Sequence, residues 1–168
     1  MTAATARVLT VEDDPIVRAD LRLVLEDAGF DVCADARDGV EAVELARSHS
    51  PDLILLDLGL PRLGGVAATR AIMRERPVPI VALTGRSPAL ASEAIEAGVV
   101  VCLRKPFAAD HLVRTLREAL TAGALPPKRA ESRDALATLL GLLGYPEDWA
   151  VELEDAAFRA GRVWRRTS

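Results

Sequence analysis

Apolar residues in this chain follow two alternating rhythms. Short, mostly apolar runs occur at Arg7–Val11, Phe30–Ala36, Leu53–Leu56, Ile80–Leu83 and Val99–Leu103. A run as unbroken as Leu53 to Leu56 predicts a strand buried on both faces, as in a parallel sheet. Pro77 and Pro79 confine the fourth run to their far side, because proline cannot donate to a central ladder. Between the runs, apolar residues return at helical spacing. Val17, Leu21, Val24, Leu25 and Ala28 define a first helix closed by Gly29. Val40, Val43 and Ala46 mark a second, and Val66, Arg70 and Met73 set the phase of a third. Pro88–Ala97 is alanine-rich and weakly apolar, which predicts a loosely packed fourth helix, and Leu112, Val113, Leu116 and Leu120 give a fifth. Repeated strand–helix units with short connections imply a parallel sheet covered on both faces.

Candidate chemistry lies at the strand ends. Arg7–Val11 runs into Glu12, Asp13 and Asp14, the third strand ends in Asp57, the fourth in Thr84 and Gly85, and the fifth is followed by Arg104 and Lys105. A carboxylate closing an apolar strand is costly unless the strand opens onto solvent or a cation, and the carboxyl edge of an open α/β sheet is where ligands bind. Clustered carboxylates suit a hard divalent cation such as Mg²⁺, while a hydroxyl and an ammonium suit phosphoryl oxygens. Each residue also has an ordinary reading. Thr84 fits a strand, Lys105 a solvated surface, and Asp14 before Pro15 a helix N-cap. Asp14 is therefore assigned to capping, leaving Glu12 and Asp13 for the metal.

The segments VEDDP, DLGLPRLGG, ALTG and KPF, in that order, resemble the receiver domain of bacterial two-component response regulators over about residues 5 to 122. The resemblance implies a flavodoxin-like, doubly wound, five-stranded parallel sheet of order 2-1-3-4-5. It further implies that Asp57 is the phosphoacceptor, with Thr84 and Lys105 holding the phosphoryl group. Mg²⁺ would be bound by Glu12, Asp13, Asp57 and the Gly59 carbonyl, and Lys105–Pro106 would be a cis peptide. The phosphodonor would be a sensor histidine kinase or a phosphotransfer protein. The domain would act as a phosphoacceptor signalling protein rather than an enzyme. Two positions depart from the family pattern. Cys102 replaces the usual aromatic three residues before the lysine, and Gly85 replaces the usual alanine, which frees the backbone after Thr84.

Length and charge narrow the picture. The 168 residues accommodate one domain of about 120 residues plus a short second unit. The division expected is a receiver over 1–122, a linker over 123–130 and a helical hairpin over 131–168. A composition of 50% hydrophobic and 27% charged residues describes a globular chain with an ample core. Net charge −4 argues against nucleic-acid binding over the whole surface. Cys33 and Cys102 fall in strand runs and read as buried thiols, while His49 and His111 read as surface helix residues outside the motifs. The N-terminus lacks an apolar signal region, and no run approaches the ~20 apolar residues that span a membrane. A cytoplasmic location with no membrane partner is expected.

The C-terminal segment carries its own pattern. Leu136, Leu139, Leu140 and Leu143 line one helix face, and Trp149, Leu153, Ala156 and Ala157 line a second after Tyr145–Pro146. Arg159, Arg162, Arg165 and Arg166 then form a basic tip. About 40 such residues have too little core to fold alone. The leucines favour a dimerisation or docking hairpin. RNA binding comes second, since EDWAVELEDAAFRAGR is weakly similar to antiterminator (ANTAR) regulators. Helix-turn-helix DNA binding comes third, for want of a third helix. A haloacid-dehalogenase-like phosphatase would need an aspartate where Gly59 stands, and an FMN-binding flavodoxin would need a hydroxyl- and glycine-rich loop where Glu12–Asp14 stand.

Overall fold

The computed structural model of the protein describes residues 4–85 and 87–123. Five strands alternate with five helices: β1 (Arg7–Val11), α1 (Pro15–Asp27), β2 (Asp31–Ala36), α2 (Gly39–His49), β3 (Leu53–Asp57), α3 (Gly65–Glu75), β4 (Ile80–Thr84), α4 (Pro88–Ala97), β5 (Val101–Arg104) and α5 (Ala109–Gly123). The strands form one parallel sheet of order β2-β1-β3-β4-β5, the flavodoxin-like arrangement expected. β5 begins two residues later than the apolar run suggests and extends to Arg104. The expected linker and hairpin beyond Gly123, with their leucine, tryptophan and arginine rows, lie outside the described residues.

Strand periodicity divides the core in two. Leu9, Val11, Ile54, Leu56, Ile80 and Ala82 face one side, where α2, α3 and α4 cover them. Val8, Leu53, Leu55, Val81 and Leu83 face the other side, under α1 and α5. β3 and β4 are buried at every position, which explains their unbroken apolar runs. Burying one such side chain is worth about 1.5–3 kcal/mol, so the central strands anchor the fold and fix where their polar last residues emerge.

Local signals set the helix ends. Asp14 caps α1, its carboxylate accepting from the Ile16 and Val17 N–H groups, with Pro15 in the first turn. Gly29 takes φ +87° just beyond α1, a backbone that glycine adopts without strain. One packing expectation changes. On α3 the buried stripe is Gly65, Ala68, Thr69 and Ile72, and Arg70 points to solvent. On α4, weakly apolar as it is, Ala91 and Ala94 are completely buried. Its small side chains let the helix approach the sheet closely. Cys102 is buried as expected, but Cys33, on the edge strand β2, is only half-buried.

Candidate functional site

The order of the sheet brings the carboxyl ends of β1, β3, β4 and β5 together. Glu12 follows β1 and is buried at 2% exposure; its backbone N–H pairs with the Ala36 carbonyl at 3.0 Å. Its Oε1 accepts from the Asp14 N–H at 3.1 Å. Asp57 is the last residue of β3, where Oδ1 accepts from the Gly59 N–H at 3.0 Å and Oδ2 from Lys105 Nζ at 2.9 Å. The same ammonium reaches Glu12 Oε2 at 3.4 Å. Carboxylate oxygens of Glu12, Asp13 and Asp57 all lie within 4.8 Å of one another. Asp13 is exposed, so the cluster opens to solvent on its side.

Thr84 and Lys105 are placed by one backbone bond, the Lys105 N–H donating to the Thr84 carbonyl at 2.8 Å. Thr84 Oγ1 is buried and has no hydrogen-bond partner. A buried hydroxyl left unpaired costs about 1–3 kcal/mol. The peptide between Lys105 and Pro106 is cis, matching the expectation from KPF.

Electrostatics suit the site to a cation. Burial pushes the Glu12 carboxyl up to about 7; the Asp14 N–H works against this, while the nearby Asp57 charge adds to it. Burial also acts against the Lys105 ammonium, but its bond to Asp57 and the charges of Asp57 and Glu12 outweigh that, and its pKa rises. Three carboxylates face one ammonium, so full ionisation leaves an excess of negative charge. Hard oxygen donors with unbalanced negative charge fit a hard divalent cation that keeps several waters.

Two arginines that the sequence reading passed over shape this edge. Arg18, on α1, donates from Nη1 to the Glu12 carbonyl at 2.6 Å and to the Asp13 carbonyl at 3.5 Å. A signal existed, since helical side chains lean toward the helix N-terminus and Arg18 lies one turn inside α1. Arg62, in the loop after Asp57, has φ +62° and pairs through Nη1 with Asp38 Oδ2 at 2.8 Å. Asp38 is buried, caps α2 by accepting from the Glu41 N–H, and its pKa is lowered first by that backbone bond, against burial, and then by Arg62. Gly39 lies directly beneath the same loop, where a Cβ would come within 1.9 Å of the Leu63 carbonyl oxygen. No sequence signal pointed to Arg62, because residues favouring a left-handed backbone are glycine, asparagine and aspartate.

The remaining expectations concern sulfur and imidazole. The Cys102 thiol faces α4, 3.8 Å from the Ala91 carbonyl, and burial pushes its pKa up to about 12. His49 and His111 lie on α2 and α5, away from the acidic cluster, and both are half-buried rather than fully exposed.

A five-stranded flavodoxin-like sheet with acids, a hydroxyl and a lysine at its carboxyl edge defines a receiver domain. The family profile for the response regulator receiver domain matches residues 8–117, and the chain belongs to this family, as the receiver of a two-component response regulator. It is 39% identical over 120 residues to the transcriptional regulatory protein PdtaR of Mycobacterium tuberculosis, covering 71% of this chain and 58% of that protein. It is also 39% identical over 144 residues to protein-glutamate methylesterase/protein-glutamine glutaminase 2 of Xanthomonas euvesicatoria, covering 78% and 40%. The chain thus spans only part of the length of these relatives. Among solved structures, the response regulator domain of Thermotoga maritima CheB matches with a TM-score of 0.64 and 28% identity, over 73% of this chain and 99% of that one. No helix among the described residues is long and apolar enough to cross a membrane.

Proposed function

We propose that Asp57 accepts a phosphoryl group from the phosphohistidine of a sensor histidine kinase or a phosphotransfer protein. The observation that carries this reading is the Asp57 carboxylate held by Lys105 at 2.9 Å, beside a buried, unpartnered Thr84 hydroxyl. A carboxylate oxygen of Asp57 attacks phosphorus in line, the P–N bond breaks, and the imidazole leaves with the bonding pair. Lys105 then exchanges part of its contact with Asp57 for a phosphoryl oxygen, and the Thr84 hydroxyl donates to another. Glu12, Asp13, Asp57 and the Gly59 carbonyl would hold Mg²⁺, which supplies positive charge against the equatorial oxygens of the transferring group. Arg18 keeps the Glu12–Asp13 backbone in place, and the Arg62–Asp38 pair anchors the loop after Asp57.

Incubation with acetyl phosphate and Mg²⁺, followed by intact mass measurement, should show a single added phosphoryl group. Asp57→Asn should gain none, and Asp13→Asn should lose the Mg²⁺-induced shift in a thermal melt. Phosphorylation of the Asp57→Asn variant rejects the assignment.

Output leaves through the C-terminal segment, as a dimerisation or partner-docking element. A second reading, RNA binding of the antiterminator type, draws support from a relative named as a transcriptional regulatory protein. It requires salt-sensitive RNA binding that disappears when Arg159, Arg162, Arg165 and Arg166 are neutralised.

A further inference from the structure

At the sheet edge opposite Asp57, the C-terminal ends of α2 and α3 enclose an open cavity of about 180 Å³. Val43, Ala46, Ile72 and Val78 line it with apolar surface, and Arg47, Ser50, Glu75 and Arg76 complete the lining, Arg47 being paired with Glu75. Metabolite sites run to about 300–1,000 Å³, so this one is small for a free ligand. Its volume is of the order that a single aromatic ring fills, since a cavity of about 150 Å³ accepts benzene. We propose that the cavity is the docking site of the chain's own C-terminal segment, with the Trp149 indole as the anchor.

Position and charge both support this occupant. α5 ends at Gly123, which lies so close to Pro79 that a Cβ there would come within 2.2 Å of the proline Cγ. Pro79 follows Val78, which lines the cavity, so the chain departs from the same edge of the sheet. Reaching the α2–α3 side means crossing a sheet layer and a helix layer, each about 10 Å thick. Residues 124–130 alone extend to about 23 Å, and Trp149 lies well beyond them. Trp149 is flanked in sequence by Glu147, Asp148, Glu152, Glu154 and Asp155. Arg74 and Arg76, exposed at the end of α3, form no ion pair with a described carboxylate, although Arg76 donates from Nη2 to the Pro51 carbonyl. An aromatic residue in an acidic segment therefore complements the apolar side of this cavity, beside two guanidinium groups that have no carboxylate partner among the described residues. A tether of this length keeps the effective concentration near millimolar, so modest contacts suffice for docking within one molecule.

The inference builds on the reading of the C-terminal segment as the output element but needs no phosphoryl transfer. It is therefore tested on unphosphorylated full-length protein, where failure of Asp57 chemistry has no bearing. Both tryptophans of the chain, Trp149 and Trp164, lie in this segment, so Trp164→Phe leaves Trp149 as the only indole. Its emission should be blue-shifted, protected from acrylamide and unchanged on serial dilution. Arg76→Glu should raise the quenching constant several-fold, and Arg76→Lys should retain protection. As a measurement independent of that variant's folding, amide exchange over residues 43–50 and 72–78 should accelerate in full-length Trp149→Ala and stay at the parental rate in Trp164→Ala. A solvent-exposed indole in the Trp164→Phe protein, unchanged exchange in Trp149→Ala, or burial lost on dilution overturns the proposal. The last outcome assigns the cavity to a second copy of the chain.

Discussion

Glu12→Gln measures what the acidic cluster costs the fold. Burial holds the Glu12 carboxyl at about 7 rather than 4.5, so the folded protein binds this proton more tightly than the unfolded chain does. Glu12 therefore leaves stability intact below about pH 4.5 and lowers it progressively as pH rises toward 7. At about 1.4 kcal/mol per pH unit, the gap amounts to about 3 kcal/mol by pH 8. Glutamine keeps an oxygen for the Asp14 N–H but cannot ionise, and Lys105 retains Asp57 as its partner. In metal-free buffer at pH 8, Glu12→Gln should therefore melt higher than the parent, by on the order of 10 °C. The two proteins should converge at pH 4.5. The lowered carboxyls of Asp38 and Glu75 act in the opposite direction and at more acidic pH, outside this window. Adding Mg²⁺ at pH 8 should raise the parent's melting temperature more than the variant's, because a cation offsets the ionised cluster. Scanning calorimetry at both pH values provides the test. Parallel pH profiles for parent and Glu12→Gln would refute the argument.

Two further substitutions probe the same edge. Thr84→Val removes a buried hydroxyl that has no partner while keeping its shape, so urea denaturation should show a gain of about 1 kcal/mol, together with slower uptake of phosphoryl from acetyl phosphate; a loss of stability would mean that the hydroxyl is satisfied in solution. Gly39→Ala places a Cβ 1.9 Å from the Leu63 carbonyl oxygen and should cost about 2–3 kcal/mol, as well as slowing phosphoryl uptake by displacing the loop after Asp57. Unchanged denaturation and uptake would show that the loop does not rest on this residue.

Local pattern alone carried much of this protein. The apolar run before Asp57 specified a buried strand, because a segment enclosed on both faces must be apolar throughout. Asp14–Pro15 specified a helix start, because the cap needs only groups a few residues apart. Those same runs placed Glu12, Asp57 and Thr84 at strand ends and Lys105 just beyond one, and the order of four short motifs supplied the sheet order through family resemblance. Tertiary structure decided which ends meet. Glu12 and Lys105 lie 93 residues apart in sequence, and their contact exists only because β1 and β4 both flank β3, with β5 beyond β4. The buried stripe of α3 shifted from its expected phase because glycine, alanine and threonine, weak in a hydropathy pattern, are the residues small enough for close approach. The fourth helix likewise buries its alanines, Ala91 and Ala94. Arg62 took a left-handed backbone, held by a buried aspartate from another strand–helix turn. Periodicity records which face of a segment avoids water, whereas adjacency, close packing and strained backbone depend on partners distant in sequence.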